Sequence, residues 1–233
     1  MNRGIFYALL AYLWWGLFPI YWKLLDHVPS TQIVGHRIIW SFIFFLLILI
    51  YRKDLGSILK KVKKAENKFL IIIPTLLIGS NWLVYIWAVT ANYVLETSIG
   101  YFISPIFSIF FGVFFLSEKL RPLQWLAVTI AGIGVLIMTL IYGSFPWIAL
   151  FLASSWSCYG LLRKKSPLNS IEGLFVEMLI LLIPALFYLN FLNTENLFLV
   201  DSKTTLLFIF SGIISGAPLL VFIAGARRIN LSL

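Results

Sequence analysis

Long apolar stretches, separated by short polar connections, follow one another along the whole chain. Each stretch is close to the roughly 20 residues that an α-helix needs to cross about 30 Å of hydrocarbon. The stretches are apolar on every face, whereas strands of a membrane β-barrel alternate in polarity over about 10 residues. The pattern therefore predicts an all-α, polytopic membrane protein. The eight predicted spans are residues 4–22, 33–51, 69–90, 98–116, 123–141, 145–162, 173–192 and 206–226.

The connections sort the positive charge onto one side of the membrane. With a cytoplasmic N-terminus, all of the 18 Lys and Arg residues except Lys23, Arg37 and Lys203 lie on the cytoplasmic side. An excess of Lys and Arg is typical of cytoplasmic loops. We therefore expect a multi-pass protein of the bacterial inner membrane with its N-terminus in the cytoplasm.

Much of the basic charge lies in one connection, residues 52–68, with seven Lys and Arg residues. Leu55, Ile58, Leu59 and Val62 have helical spacing beside these lysines, which indicates either a short amphipathic helix on the inner surface or a solvated basic loop. Positive charge beside a membrane favours anionic lipid headgroups as a partner. Nucleic acid is not an expected partner, although the net charge is +9.

The second part of the chain echoes the first. The segment 8–15 aligns with 149–156, so that Trp15 matches Trp156, and 29–35 aligns with 167–173. The unit is five spans, an odd number, so the second copy would enter the membrane from the opposite face. This is the inverted repeat of many secondary transporters. The expected domains are residues 1–142 and residues 143–233.

By this register the second repeat contains only three of its five spans. The segment that would match residues 100–142 is missing, and the sequence stops at Leu233 where a ninth span is expected. A C-terminally truncated form is the simplest interpretation, with a native eight-span protein as the alternative.

Several strings together resemble a known family. They are WWGLFPIYWKL at 14–24, GHRIIWS at 35–41, SNWLVYIW at 80–87, GYFISP at 100–105, EKLR at 118–121, QW at 124–125, GLLRK at 160–164 and ARRI at 226–229. The chain resembles the RarD-type permeases of the EamA group, in the drug/metabolite transporter superfamily. The resemblance covers nearly the whole chain.

The resemblance implies ten helices in two inverted five-helix repeats, of which eight are present here, with both termini cytoplasmic. It also implies a substrate cavity between the halves and the export of drugs or metabolites. The chain differs from the family pattern because it lacks the last two helices. This difference raises the question of whether this form transports a substrate.

Polar groups inside a bilayer are costly and are functional candidates. Glu177, within the seventh span, is expected to take up a proton or contact a cationic substrate, or else to pair with a neighbouring helix or reach water. Arg37 and Glu96 are both expected near the outer face and could form a gate pair, unless Arg37 snorkels to the interface. His36 either titrates near neutral pH or is a hydrogen-bonded structural residue.

Other residues are candidates for lining the cavity. Asn81 and Tyr85 are four apart and share one helix face, which Tyr101 would join; interhelical hydrogen bonding is the alternative. Trp14 and Trp15 lie deep in the first span and could hold a flat or cationic substrate, or anchor the helix at the interface. Gly100, Ser104, Ser108 and Gly112, like Gly212 and Gly216, have the spacing of close helix packing.

No enzyme motif is recognisable, no cofactor is expected, and two histidines with one cysteine make no plausible metal site. We therefore expect a secondary transmembrane transporter, an exporter of a small drug or metabolite, with proton coupling as a further hypothesis. The alternatives are a non-transporting membrane subunit or an inactive truncated transporter, and then a membrane-embedded lipid-modifying enzyme.

Overall fold

The computed structural model describes residues 3–64, 67–143, 145–192 and 201–228. Over these residues the chain is a bundle of helices without a strand, which confirms the predicted all-α fold. A π-helical turn, Tyr188–Leu192, continues α9. The α-helices are α1 (Arg3–Gly16), α2 (Phe18–Lys23), α3 (Ser30–Tyr51), α4 (Leu55–Lys64), α5 (Phe69–Thr90), α6 (Val94–Leu116), α7 (Pro122–Tyr142), α8 (Trp147–Lys165), α9 (Ser170–Phe187) and α10 (Ser202–Ala226).

Seven helical segments of the described chain are long and apolar enough to cross a membrane. Helices α1 and α2 together make the first, with an interruption at Leu17 just before Pro19. The predicted span 145–162 is helical as α8 but lies outside this group, since Arg163, Lys164 and Lys165 in its last turn make it less apolar. The multi-pass membrane fold is therefore confirmed, and the eighth span stays a prediction.

Ion pairs bring the basic connections together at one end of the bundle. Lys61 Nζ lies 2.6 Å from Glu172 Oε1, and Lys164 Nζ lies 2.9 Å from Glu118 Oε1. These pairs join α4 to the start of α9, and the end of α8 to the connection after α6. At the opposite end, His27 Nε2 lies 3.1 Å from Thr204 Oγ1. We call the end of the bundle that carries the Lys61–Glu172 and Lys164–Glu118 pairs the basic end. This arrangement agrees with the predicted back-and-forth threading.

The basic connection folds as the amphipathic helix α4. Ile58 is only 1% exposed and packs into the core, while the lysines of the helix are exposed. The helix that the spacing of the apolar residues predicted is therefore present, with its apolar face against the core, and its position on the inner membrane surface stays a prediction.

Side-chain caps set where α9 and α10 begin. Asn169 Oδ1 accepts a hydrogen bond from the Glu172 backbone N–H at 2.9 Å, and the Asn169 backbone N–H donates to Glu172 Oε2 at 3.0 Å. Asp201 Oδ1 accepts from the backbone N–H groups of Lys203 and Thr204. The Thr204 donors lower the pKa of Asp201, because they favour its ionised form.

Small residues allow the closest helix contacts. A Cβ atom added at Gly212 would lie 2.7 Å from the backbone nitrogen of Ser41 and closer still to the Trp40 carbonyl, so α10 packs backbone to backbone on α3. Between α6 and α8, the Ser157 hydroxyl donates to the Ser104 carbonyl at 2.9 Å, and Ser108 Oγ donates to Ser157 Oγ at 3.0 Å. The predicted packing role is therefore confirmed for Gly212, Ser104 and Ser108.

Replacing Gly212 by Ala should destabilise the bundle, because the added methyl group has backbone atoms of α3 in its way. Overpacking of this kind costs about 1–3 kcal/mol. The measurement is the midpoint of thermal unfolding in detergent, followed by the loss of a monodisperse size-exclusion peak.

Gly132→Ala in α7 is the matched control, since nothing lies within 4 Å of its added Cβ. It should leave the midpoint unchanged or raise it slightly. Equal midpoints for the two variants would show that α3 and α10 do not touch as described.

Candidate functional site

A cavity lies inside the bundle, between α1, α2, α3, α5, α6, α8 and α10. It holds about 580 Å³ of space, counting its open mouth. Helices from both predicted repeats contribute to its wall. The lining residues are Trp15, Phe18, Arg37, Asn81, Trp82, Tyr85, Thr97, Gly100, Tyr101, Ser104, Leu152, Trp156, Ser215 and Leu219.

Aromatic rings form most of the wall and pack edge to face. The rings of Trp15 and Trp156 have centroids 5.0 Å apart at an interplanar angle of 89°. Tyr85 and Tyr101 form a second pair, with centroids 5.9 Å apart at 73°. This geometry is favourable between aromatic quadrupoles and holds the rings in place. The cavity therefore has a rigid, mostly apolar wall, as small-molecule sites usually have.

Arg37 is the one Lys, Arg, Asp, Glu or His residue among the described residues that line the cavity. It lies eight residues into α3 and is 3% exposed. Its guanidinium carbon lies 3.7 Å from the centroid of the Trp82 ring and 5.1 Å from that of Trp22. Arg37 is thus buried in the bundle against aromatic faces, whereas its depth relative to the membrane interface stays a prediction.

Asn81 both lines the cavity and joins two helices. Its Nδ2 donates to the Leu152 carbonyl at 3.1 Å and to Ser155 Oγ at 2.9 Å, across to α8. The two interpretations of Asn81 are therefore compatible. Tyr85 and Tyr101 also line the cavity, as the shared-face argument predicts.

Trp15 lines the cavity and its neighbour Trp14 does not; the Trp14 residue is 45% exposed. Adjacent helical residues point about 100° apart, so only one of the two can face the centre.

The other outer-face candidates lie outside the lining. His36 is buried and stacks on Phe208, with centroids 4.0 Å apart at 7°. Glu96 is also buried, one residue before the lining residue Thr97. The ion pairs within 4 Å between described residues do not join Arg37 to Glu96. The gate pair therefore stays a prediction.

Glu177 lies away from the cavity, towards the basic end. Its Oε1 is 3.4 Å from Arg163 Nε, and its Oε2 accepts a hydrogen bond from the Tyr159 hydroxyl at 3.0 Å. Arg163 also donates to Ser166 Oγ and to the Asn169 carbonyl. The structure thus gives Glu177 the pairing with a neighbouring helix that was one of its two interpretations, and its proton role stays a prediction.

Sequence reasoning missed several lining residues, among them Trp82, Trp156 and Ser215. Trp156 was within reach, because the internal alignment matches it with Trp15. Trp82 is adjacent to the candidate Asn81 and carried no separate signal. Ser215 has no motif around it, and its position follows only from how α10 packs.

Groups of three or more His, Cys, Asp or Glu residues that could hold a metal ion do not occur among the residues that the structure describes.

Comparison with known proteins places the chain in a family of transporters. The EamA-like transporter family matches residues 2–140. The chain is 41% identical to the uncharacterized transporter YojE of Bacillus subtilis, over 99% of this chain and 78% of that protein. It is 40% identical to the protein RarD of Escherichia coli, over 99% of this chain and 79% of that protein. An uncharacterized transporter of Vibrio cholerae is 39% identical, over 99% and 78% of the two chains. These likenesses agree with the helices and the central cavity, and the chain belongs to the EamA-like transporter family as a permease of the RarD type.

Proposed function

We propose that this membrane transporter is a secondary transporter that exports a small organic drug or metabolite. The observation that carries the proposal is the aromatic cavity, whose wall is shared by both predicted repeats. Trp15, Arg37 and Tyr85 come from the first repeat, whereas Trp156 and Leu219 come from the second. A site between two repeats can face each side of the membrane in turn when the repeats rock against each other. The proposed direction of transport, export and not uptake, rests on the resemblance of the chain to drug and metabolite exporters.

Helix packing supports the two-repeat organisation on which this mechanism depends. Helix α1 packs on α10, and its predicted counterpart α8 packs on α5, the counterpart of α10. In the same way α3 packs on α10, and α9 packs on α5. When each helix is replaced by its counterpart in the other repeat, the α1–α10 contact becomes the α8–α5 contact, and the α3–α10 contact becomes the α9–α5 contact. An inverted repeat requires this symmetry of contacts. Helices α3 and α9, which are counterparts of each other, pack together.

Filling the cavity should stop transport without unfolding the protein. Ser215 lines the cavity, so Ser215→Phe should reduce export to the level of cells without the protein, because the ring would occupy the substrate space. The measurement is a comparison of the metabolites released to the medium by cells expressing the wild type or the variant, with size-exclusion profiles to verify folding.

Ser98→Phe is the control, because Ser98 is exposed on α6 and outside the cavity lining. It should release the same solutes as the wild type. If Ser215→Phe, correctly folded, released every solute that the wild type releases, the cavity would not be the transport site.

We also propose that export is coupled to protons through Glu177. The support is a carboxylate that is fully buried between Arg163 and Tyr159, where taking up a proton would break a charge pair between α8 and α9. Glu177→Gln cannot exchange a proton, so uphill export should fall to background while downhill exchange continues. Both fluxes would be followed in vesicles with and without a pH gradient.

Asp54→Asn is the matched control, since Asp54 pairs with Arg52 in a partly exposed position. Uphill export by Glu177→Gln that still required the pH gradient would rule out Glu177 as the proton site.

We propose further that the lysines of α4 bind anionic lipid headgroups. Lys60, Lys64 and Lys165 line an open groove at the basic end. Each lysine near an anionic surface contributes about 1 kcal/mol of attraction. Phosphatidylglycerol should therefore raise the thermal stability of the wild type more than phosphatidylcholine does, and the double variant Lys60→Gln/Lys64→Gln should lose most of that difference.

Lys203→Gln, at the opposite end of the bundle, should keep the full difference between the two lipids. A double variant that responded to phosphatidylglycerol as the wild type does would contradict the assignment.

A further inference from the structure

Arg37 is a buried cation with no carboxylate within ion-pair distance among the residues that the structure describes. Its Nε and Nη1 atoms are buried and have no hydrogen-bond acceptor. The ion pairs between described residues do not include it. The aromatic faces of Trp82, Trp22 and Phe18 attract the cation, but they supply neither a negative charge nor lone-pair acceptors. A buried charge without a partner is costly.

Arg163 is a second buried arginine of this bundle and serves as a comparison, because its surroundings are those of a structural residue. It is as buried as Arg37. Glu177 neutralises it at 3.4 Å, and Ser166 Oγ and the Asn169 carbonyl accept its Nη hydrogen bonds. Arg37 has none of these partners and borders the cavity. The difference indicates that the partner of Arg37 comes from outside the protein and reaches it through the cavity.

The rest of the lining limits what that partner can be. Ser215 is a second lining residue with a buried polar atom, its Oγ, that has no hydrogen-bond partner. Among the described residues that line the cavity there is no Lys, Asp, Glu or His, and most of the wall is aromatic or aliphatic. One guanidinium matches one negative charge, and the planar fork of Arg suits a carboxylate. A phosphate ester would bring further charge that the lining does not balance.

A cationic substrate, one of the two that the aromatic first span suggests, fits this site poorly. The Trp82 face, which could have held a substrate cation, is already covered by the guanidinium of Arg37 at 3.7 Å. A second cation in the same cavity would be repelled by the first, at short range and with little water between them.

We propose that the cavity binds a small organic monoanion, with its carboxylate against Arg37 and its apolar or aromatic body against the walls formed by Trp15, Trp82 and Trp156. This proposal rests on the proposed transport function, since it names the class of solute that the cavity would carry. The carboxylate supplies the charge and the acceptors that the protein leaves out. The Ser215 hydroxyl remains available for a second polar group of the ligand.

Binding of matched probes to the full chain in nanodiscs tests the proposal. The probes are 3-phenylpropanoate, its neutral amide 3-phenylpropanamide, and the cation phenethyltrimethylammonium, with binding followed by saturation-transfer NMR and by the thermal midpoint. The wild type should bind the carboxylate at least about tenfold more tightly than the amide, a difference of about 1.4 kcal/mol. The cation should not compete with the carboxylate. Equal affinity for carboxylate and amide, preference for the cation, or no binding of the carboxylate would overturn the proposal.

Arg37→Met should remove the preference for the carboxylate over the amide, and Arg37→Lys should keep part of it. Because the ion pairs between described residues give Arg37 no carboxylate to lose, Arg37→Met should also unfold at the same temperature as the wild type or higher when no probe is present. A structural role would instead lower that temperature, as for Arg163→Met, which leaves Glu177 unpaired. Arg52→Met, whose arginine is half exposed in a pair with Asp54, should bind the probes as the wild type does. An Arg37→Met variant that keeps the carboxylate preference, or that unfolds well below the wild type, would overturn the assignment.

The two proposals fail in different ways. If the carboxylate preference holds but no solute is released in a manner that depends on Ser215, the ligand class is right and the transport function is wrong. If solutes are exported but the site shows no preference for a carboxylate, only the ligand class is wrong.

Discussion

Close approach between helix backbones is the constraint on which the rest of the structure depends. Lipid is as apolar as the helix surfaces, so helices in a membrane associate through close packing and interhelical hydrogen bonds. Gly212 lets α10 touch the backbone of α3, and Gly100, where a Cβ would lie 3.1 Å from the Ala149 carbonyl, does the same between α6 and α8. All four helices wall the cavity, so its shape follows from these contacts. The seryl hydroxyls between α6 and α8 add directional bonds to the packing.

The two buried arginines show how one chemical group takes two roles in the same bundle. At the basic end, Arg163 ties the end of α8 to the start of α9 through Glu177 and nearby oxygen atoms. A Cβ at Gly173 would collide with its guanidinium, so the glycine makes room for this pairing. At the cavity, Arg37 lies against the aromatic faces of Trp82, Trp22 and Phe18, and no ion pair between described residues includes it. The surroundings of the two arginines, and not their residue type, therefore distinguish the paired Arg163 from Arg37 at the cavity wall.

Much of the fold and part of the site could be predicted from the sequence. The period of the hydrophobic pattern and the length of the apolar stretches were sufficient to predict the helices. This includes α4, because a short basic segment with apolar residues at helical spacing has few alternative structures. Trp15, Asn81, Tyr85 and Tyr101 line the cavity, and their role in binding a substrate stays a prediction. The sequence could not distinguish the cavity residues from Trp14, His36, Glu96 and Glu177. A side chain that is unfavourable in lipid can either face the cavity or pack against a neighbouring helix. For His36, only the position of Phe208 in the folded structure distinguishes these two possibilities. For Glu177, only the position of Arg163 does so.

By itself, the sequence determined the class of protein, its helices, the end of the bundle that carries the basic charge, and the family. These properties depend on hydrophobicity and charge summed over many residues, and a single position changes them little. The tertiary structure alone decided which side chains meet. It placed Glu177 on Arg163, gave Arg37 no ion pair among the described residues, and brought Trp156 and Ser215 into the wall. Such contacts depend on helix rotation and close approach between segments far apart in the chain, and a hydrophobic pattern carries no information on either.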